Sequence, residues 1–263
     1  MNGELKQKFP SWTNDWYTEY DLVLSDDIDS LLSCELLRQL KGYEINYFYD
    51  FERIYKVKNT PINENIIGVD TDFVRGKNWG NHITISNANA NLNCICDITN
   101  DNYSKKYCGS TALEIISYYN YDISHLTEEG KMILLAIDCG FKGFYNEYFH
   151  NIQKYYLCDV MQLEELYQVI QRHTIEEFYE VIRKYKLYGK IYIKQGRLTT
   201  DIELKALSEM LDLPLLLPNC EFELFRKFQR KNKSISLLSE QDMQNVVSLA
   251  FTRKNFVSYT ISL

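Results

Sequence analysis

The segment that most constrains the fold is residues 22–40, LVLSDDIDSLLSCELLRQL, in which an apolar run leads through acids directly into a helical pattern. Residues 22–24 predict a short buried strand, and the leucine spacing after Ser30 predicts a helix with one apolar face. A strand that ends on acids with a helix directly behind it is typical of the ligand-binding edge of an open α/β sheet.

The acids of this segment are Asp26, Asp27 and Asp29. Carboxylates this close together repel one another unless a positive charge lies among them. Hard oxygen ligands of this kind suit Mg²⁺ or Mn²⁺. The same residues also suit a solvent-exposed turn that caps a helix, because aspartate is favoured at helix N-termini. The segment alone leaves both interpretations open.

Strand patterns alternate with helical patterns over residues 20–140, which predicts an α/β fold with a doubly wound, mostly parallel sheet. The strands predicted after the first cover residues 43–49, 65–69 and 83–85, and the predicted helices begin at Thr111 and Thr127. The whole chain divides into three predicted parts. They are an α/β domain at 1–154, a helical connector at 155–187 and a smaller C-terminal α+β domain at 188–263.

Composition narrows the function classes. A formal net charge of −7 argues against a broad basic surface that binds nucleic acid of any sequence. No apolar run is long enough to cross a bilayer, so no membrane association is predicted. The seven cysteines are scattered and the N-terminus lacks an apolar signal segment, which predicts a reducing, cytoplasmic location. Cys94 and Cys96 are predicted to alternate along a strand, because their spacing does not suit a zinc site.

Acids and one histidine recur near the ends of the predicted strands and of one helix. Parallel strands place their carboxyl ends at one edge of a sheet, so we expect these side chains to converge. An oxygen and nitrogen ligand set favours Mn²⁺ over Ca²⁺ and suits two ions bridged by a carboxylate. Each residue also has a simpler interpretation, as a turn former, an ordinary half-buried histidine or a helix cap. The predicted metal ligands are Asp27, Asp29, Asp70, His82 and Asp138.

Five stretches occur in a recognisable order: LVLSDDIDSLLSCELL, IIGVDTD, GNHITIS, KYCGSTALEIISYYN and LTEEGKMILLAIDCGFKGFY. This order, over about residues 18–150, resembles the DHH phosphoesterase superfamily. That superfamily includes RecJ-type exonucleases, nanoRNases, cyclic-dinucleotide phosphodiesterases and family II pyrophosphatases. GNHITIS stands where the Asp-His-His motif of the superfamily would fall.

The resemblance implies a Mn²⁺-dependent (or Mg²⁺-dependent) hydrolase acting on a nucleotide or short nucleic acid. It implies that the four aspartates of the predicted set hold the metal, with Asp70 and His82 catalytic. Lys142 and Arg197 are the predicted contacts to substrate phosphate. The basic run 226–233 is predicted to be a solvated face instead.

The chain departs from the superfamily pattern at three places. Ser25 stands where a His or Asp ligand is usual, Asn81-His82 replaces the His-His pair, and the C-terminal Gly-Gly-Gly-His loop is missing. The sequence therefore leaves open a divergent enzyme and a degenerate protein that only binds a nucleotide or a protein partner. The oligomeric state cannot be read from the sequence.

A haloacid-dehalogenase-like phosphatase is a further alternative, with Asp27 as nucleophile and Asp29 as acid and base. Those enzymes insert a turn and hairpin after the acidic loop, whereas here the helix is predicted to start at Ser30 or Leu31. They also need a later pair of acids, which the sequence does not provide.

Overall fold

The computed structural model describes residues 1–85, 89–138 and 140–263. Residues 86–88, which begin at the last residue of GNHITIS, and Cys139, in LTEEGKMILLAIDCGFKGFY, lie outside the described residues. No helix in the described ranges is long and apolar enough to cross a lipid bilayer.

The strands are β1 (Asp21–Leu24), β2 (Glu44–Tyr49), β3 (Arg53–Val57), β4 (Ile66–Val69), β5 (Lys77–Trp79), β6 (Asn89–Ala90), β7 (Ile191–Lys194), β8 (Arg197–Thr200), β9 (Phe222–Ser234), β10 (Val246–Arg253) and β11 (Phe256–Ser262). The α-helices are α1 (Gly3–Lys6), α2 (Ile28–Lys41), α3 (Leu92–Ile95), α4 (Thr111–Tyr119), α5 (Glu128–Ala136), α6 (His150–Lys154), α7 (Glu164–Arg172), α8 (Ile175–Tyr185), α9 (Leu204–Leu211) and α10 (Glu240–Asn245). A π-helical stretch, Tyr155–Val160, continues α6.

Nine strands form one sheet in the order β10-β11-β9-β3-β2-β1-β4-β5-β6, and β7 and β8 form a separate hairpin. The neighbours from β2 through β1 and β4 to β6 are parallel. The neighbours from β2 outward to β10 are antiparallel. The predicted α/β class is confirmed, and parallel pairing occupies the half of the sheet that carries the acidic strand ends.

The first strand forms where the apolar pattern places it, whereas the helix behind it begins at Ile28, before the predicted start at Ser30 or Leu31. Leu22 and Leu24 face the main helical core, whereas Val23 belongs to a second core on the opposite face of the sheet. The helix α2 begins after Asp27, whose side chain accepts the Ser30 backbone N–H at 3.2 Å. It ends at Gly42, whose φ of 73° is the left-handed conformation that glycine adopts at a helix C-terminus.

Two local predictions are wrong. Residues 83–85 do not form a strand, and the Ile83 carbonyl instead accepts the Phe251 backbone N–H at 2.9 Å. Cys94 and Cys96 do not alternate along a strand, because Asn91 caps α3 by accepting two backbone N–H groups there. The backbone conformation is set by a long-range hydrogen bond at residues 83–85 and by the polar cap Asn91 at α3. Neither contact can be read from the pattern of apolar residues.

The predicted domain boundaries stay predictions, but the three parts share hydrogen bonds and a core. The strand β9 pairs with β3 of the first part along residues 222–227. Leu157 and Phe178 of the predicted connector are fully buried in the same core as Leu22. Residues on both sides of each boundary therefore contribute to the same core.

The antiparallel half of the sheet curls back over the second face. The Val74 backbone N–H donates to the Val247 carbonyl at 3.0 Å, and the Leu249 N–H donates to the Asp72 carbonyl at 2.9 Å. These bonds join β10 to the loop that follows β4. The curl encloses a second core that contains Tyr47 and Phe228.

We expect Ser30→Ala to lower the free energy of unfolding by about 2–3 kcal/mol, because the buried hydroxyl satisfies two backbone groups. It donates to the Val69 carbonyl and accepts from the Ser25 N–H, each at 2.7 Å. Urea unfolding would measure the change. The exposed Ser104→Ala serves as control and should change stability by less than about 0.5 kcal/mol. Equal midpoints for the two variants would contradict this account.

Candidate functional site

The acidic strand ends lie at the point where the strand order of the sheet reverses. The chain adds β2 and β3 on one side of β1 and then β4 and β5 on the other. Leu24 at the end of β1 pairs with Val69 at the end of β4, so the residues that follow both strands are neighbours. Crevices at such reversal points are where open α/β sheets bind ligands.

Asp29 connects the first turn of α2 to the start of α4. Its two carboxylate oxygens accept the backbone N–H groups of Thr111 and Ala112 at 2.8 and 2.9 Å. The Ser33 hydroxyl donates to it at 3.4 Å. The side chain is completely buried, and the unpaired N–H groups and dipole of the α4 N-terminus stabilise its negative charge.

Asn81 links two acids of the predicted set. Its side-chain amide donates to Asp138 Oδ2 at 2.6 Å and to the Gly109 carbonyl at 2.9 Å. It also lies 3.5 Å from Asp29 Oδ2. Asn81 therefore bridges Asp29 and Asp138.

His82 and Asp70 complete the group from the other side. His82 Nδ1 lies 3.1 Å from Asp72 Oδ2 as an ion pair. Asp70 Oδ1 accepts the Thr111 hydroxyl at 3.2 Å. Asp72, the second acid of IIGVDTD, is absent from the predicted ligand set although it neighbours both Asp70 and His82.

The electrostatics confirm that the acids lie near one another. Burial raises the pKa of Asp29, and the charges of Asp138, Asp70 and Asp27 raise it further. Burial likewise raises the pKa of Asp70, with Asp27 and Asp138 as the next causes. The pKa of Asp138 is raised by burial and by Asp27. Deprotonating these acids together is therefore costly unless positive charge enters the group.

His82 supplies one such positive charge. Burial acts to lower the pKa of the His82 imidazole, but the carboxylates of Asp72, Asp70 and Asp138 outweigh burial and raise it to about 10. Because 39% of the side chain is exposed, water screens part of this attraction. His82 is thus held as imidazolium at neutral pH.

Three acids of the group adopt the left-handed backbone conformation. The φ angles of Asp70, Asp72 and Asp138 are 55°, 55° and 57°. Aspartate tolerates this region better than most residues but rarely occupies it. Clusters of such residues are found preferentially at functional sites, where the surrounding structure holds them in place.

A cavity of about 140 Å³ opens beside the acids, lined by Asp27, Asp29 and Asp138 on one wall and by the segment 187–190 on the other. Lys190 Nζ lies 2.9 Å from Asp26 Oδ1 and 3.4 Å from Asp27 Oδ2. The sequence gives no sign of this lysine, because it is far along the chain and carries no local motif.

The structure places the two predicted phosphate contacts elsewhere. Lys142 lines a different cavity with Tyr107 and Cys108, and its ammonium lies 5.6 Å from the Tyr179 ring. Arg197 lies on the β7–β8 hairpin and donates to Asn219 Oδ1 at 2.9 Å. Neither residue lines the cavity beside the acids. Their contact with phosphate stays a prediction.

The carboxylates of the group suit a hard divalent ion by their chemistry, whereas His82, held as imidazolium, has no lone pair to offer a metal. Three buried oxygens near the group have no hydrogen-bond partner in the described part of the chain: Ser25 Oγ, Asp72 Oδ1 and Asn81 Oδ1. Within residues 1–85, 89–138 and 140–263, no group of three or more His, Cys, Asp or Glu side chains is arranged to hold a metal ion. Protein donors occupy oxygens of Asp29 and Asp138 in this arrangement.

The predicted site residues therefore divide into two groups. The structure places the five predicted ligands within electrostatic range of one another, although no three of them in the described ranges are arranged to hold a metal ion. It does not bring Lys142 and Arg197 to them. Asp72, Asn81 and Lys190 join the group from the structure alone.

No protein-family model matches this chain, and searches of curated proteins and of solved structures found no significant match.

We expect the chelator-treated protein to lose stability as the pH rises from about 6 to about 10. The folded state holds a proton on His82 that the unfolded chain releases above its pKa of 6.5, so stabilisation is complete below 6.5 and is lost through about 10. The raised pKa values of Asp29, Asp70 and Asp138 act in the same direction at lower pH. Urea unfolding at several pH values would measure the slope.

His82→Gln is the control for this pH dependence, because it keeps a polar side chain that does not titrate. The variant should lose most of the slope between pH 6.5 and pH 10. A slope between pH 6.5 and pH 10 that His82→Gln leaves unchanged would show that His82 is not held protonated by these acids.

Proposed function

We propose that this chain is a metal-dependent phosphoesterase that hydrolyses a phosphodiester of a nucleotide or a short nucleic acid. The observation that carries the proposal is the meeting of Asp27, Asp29, Asp70, Asp138 and His82 at the reversal point of the sheet. The order of motifs that resembles the DHH superfamily supports the same reaction. A cytoplasmic location belongs to this proposal, and Cys34, Cys158 and Cys220 are free thiols, as expected in a reducing setting.

Asp27, Asp29, Asp70 and Asp138 would hold Mn²⁺ or Mg²⁺. Burial and the repulsion between carboxylates raise the pKa values of Asp29, Asp70 and Asp138, and a bound cation would compensate that negative charge. When bound, the divalent ion would supply Lewis-acid stabilisation of the phosphate charge. The same repulsion would keep a phosphate away from the acids in the absence of a cation. Hydrolysis is therefore expected to depend strictly on added metal.

The residues of the chain have distinct roles in this proposal. His82, held protonated beside Asp72, donates a proton to the leaving oxygen. Lys190 lies over Asp26 and Asp27 at the cavity and offers an ammonium group to the incoming phosphate. Asn81 and the N-terminus of α4 fix the orientation of Asp29 and Asp138.

A second candidate is a module of the same fold that binds a nucleotide or a protein partner without hydrolysing anything. One observation favours it: both carboxylate oxygens of Asp29 accept backbone N–H groups of α4, so that this acid has a structural role. The dehalogenase-like alternative is weaker. The helix α2 begins directly at Ile28, and Asp27 caps it, so no turn and hairpin follow the acidic loop.

We expect Mn²⁺-dependent hydrolysis of at least one substrate among short RNA, single-stranded DNA, cyclic dinucleotides and pyrophosphate. Asp70→Asn should lower kcat by about 100-fold or more, because it removes a buried charge from the metal-binding group. The control variant Asp101→Asn makes the same substitution at an exposed loop residue outside the site, and its kcat should equal that of the wild type. Steady-state kinetics with Mn²⁺, with Mg²⁺ and with chelator would measure these effects.

The same panel separates the candidates. Activity that Asp70→Asn leaves intact would remove the site assignment. Saturable nucleotide binding without turnover under any metal would establish the binding module instead. Lys190→Gln should raise KM by about tenfold with a smaller change in kcat, since it removes one charge-assisted contact to phosphate.

A further inference from the structure

A second cavity lies on the opposite face of the sheet from the acids, where the curled strands β9 and β10 approach β1 and β2. Its volume is about 510 Å³, which falls within the range of small-molecule binding sites. It contains none of the aspartates of the candidate site. The cavity exists because the antiparallel half of the sheet folds back to the loop after β4 without filling the space beneath it.

The walls of this cavity are mostly apolar, with four aromatic residues among them. Val23, Tyr47 and Phe228 form its floor as members of the second core, and Phe73 and Phe225 flank them. The Tyr47 and Phe225 rings lie 6.2 Å apart between centroids. Rings of this kind offer a rigid surface to a flat or chain-like apolar group.

The floor contains a hydroxyl whose donor capacity is unused. The Tyr47 hydroxyl is buried and donates to no acceptor among the described residues, although the Asn63 backbone N–H approaches its oxygen. Burial raises its pKa, and the nearby Asn63 backbone N–H lowers it only in part. Because an unsatisfied buried hydroxyl destabilises a fold, a ligand atom that accepts from Tyr47 would be favoured here.

The mouth of the cavity is positively charged. Arg75 and Arg226 both line it, and no acidic residue does so. Within the described parts of the chain, neither arginine forms an ion pair with a carboxylate. Arg75 Nη2 donates to the Gln244 carbonyl at 3.0 Å, which fixes its direction along the rim. Although the chain carries a net charge of −7, these two arginines have no acidic residue beside them at the cavity. They therefore create a local positive potential that attracts anions.

We propose that this cavity binds a small amphipathic carboxylate, with its apolar body against the aromatic floor and its carboxylate at Arg75 and Arg226. Guanidinium groups recognise carboxylates through paired, charge-assisted hydrogen bonds. The apolar body supplies most of the affinity by leaving water, and the arginines select the charge of the head group. This site is independent of the proposed phosphoesterase site.

The test compares decanoate, decanol and decylammonium, which share one apolar body and differ in the charge of the head group. Isothermal titration of the full chain should give one saturable site for decanoate and at least tenfold weaker binding for the other two. Arg226→Gln should weaken the binding of decanoate about tenfold, to an affinity close to that of decanol. Lys227→Gln, the next residue of β9, which does not line the cavity, is the matched control and should bind as wild type.

A variant that fills the cavity separates this site from adventitious binding elsewhere. Val247→Phe places a ring in the partly exposed wall and should abolish decanoate binding, while its circular dichroism and melting temperature show that it folds. Equal affinity for the three head groups would overturn the proposal, and so would decanoate binding that survives Val247→Phe. Absence of saturable decanoate binding would overturn it as well. None of these outcomes bears on hydrolysis at the acids.

Discussion

The carboxylate of Asp29 is buried against the N-terminus of α4, and the arrangement of the site depends on that contact. A buried carboxylate is costly unless it is hydrogen-bonded or paired, and here the first backbone N–H groups of a helix satisfy both oxygens. The contact fixes α4 against α2, and Thr111 at the same helix end reaches Asp70. One interaction therefore sets the distances among acids that come from three separate elements.

The charge balance of the site follows from this packing. The structure gathers more carboxylates than its own cations neutralise, with His82 on one side and Lys190 on the other as the nearest compensation. Repulsion among the acids raises the pKa values of Asp29, Asp70 and Asp138. A divalent ion would relieve this repulsion most directly, which is the physical basis of the proposed function.

The two faces of the sheet carry different chemistry. The parallel half is covered by helices and ends at the acids, whereas the antiparallel half curls over a second core and leaves the apolar cavity with Arg75 and Arg226 at its mouth. The loop after β4 belongs to both, because Asp72 faces the acids and Phe73 faces the cavity. The proposed hydrolysis and the proposed carboxylate binding thus depend on separate surfaces of one fold.

The sequence by itself determined the α/β class, the first strand and the acids at the strand ends, because apolar periodicity acts over a few residues. It put the start of α2 at Ser30 or Leu31, whereas the helix begins at Ile28 because Asp27 caps it. It did not determine the pairing of β3 with β9, the path of residues 83–85 or the position of Lys190 beside Asp27. Those features depend on contacts between residues far apart along the chain, whose energies no local pattern records. Only the packed tertiary structure decided which side chains surround the acids and where an empty space remained.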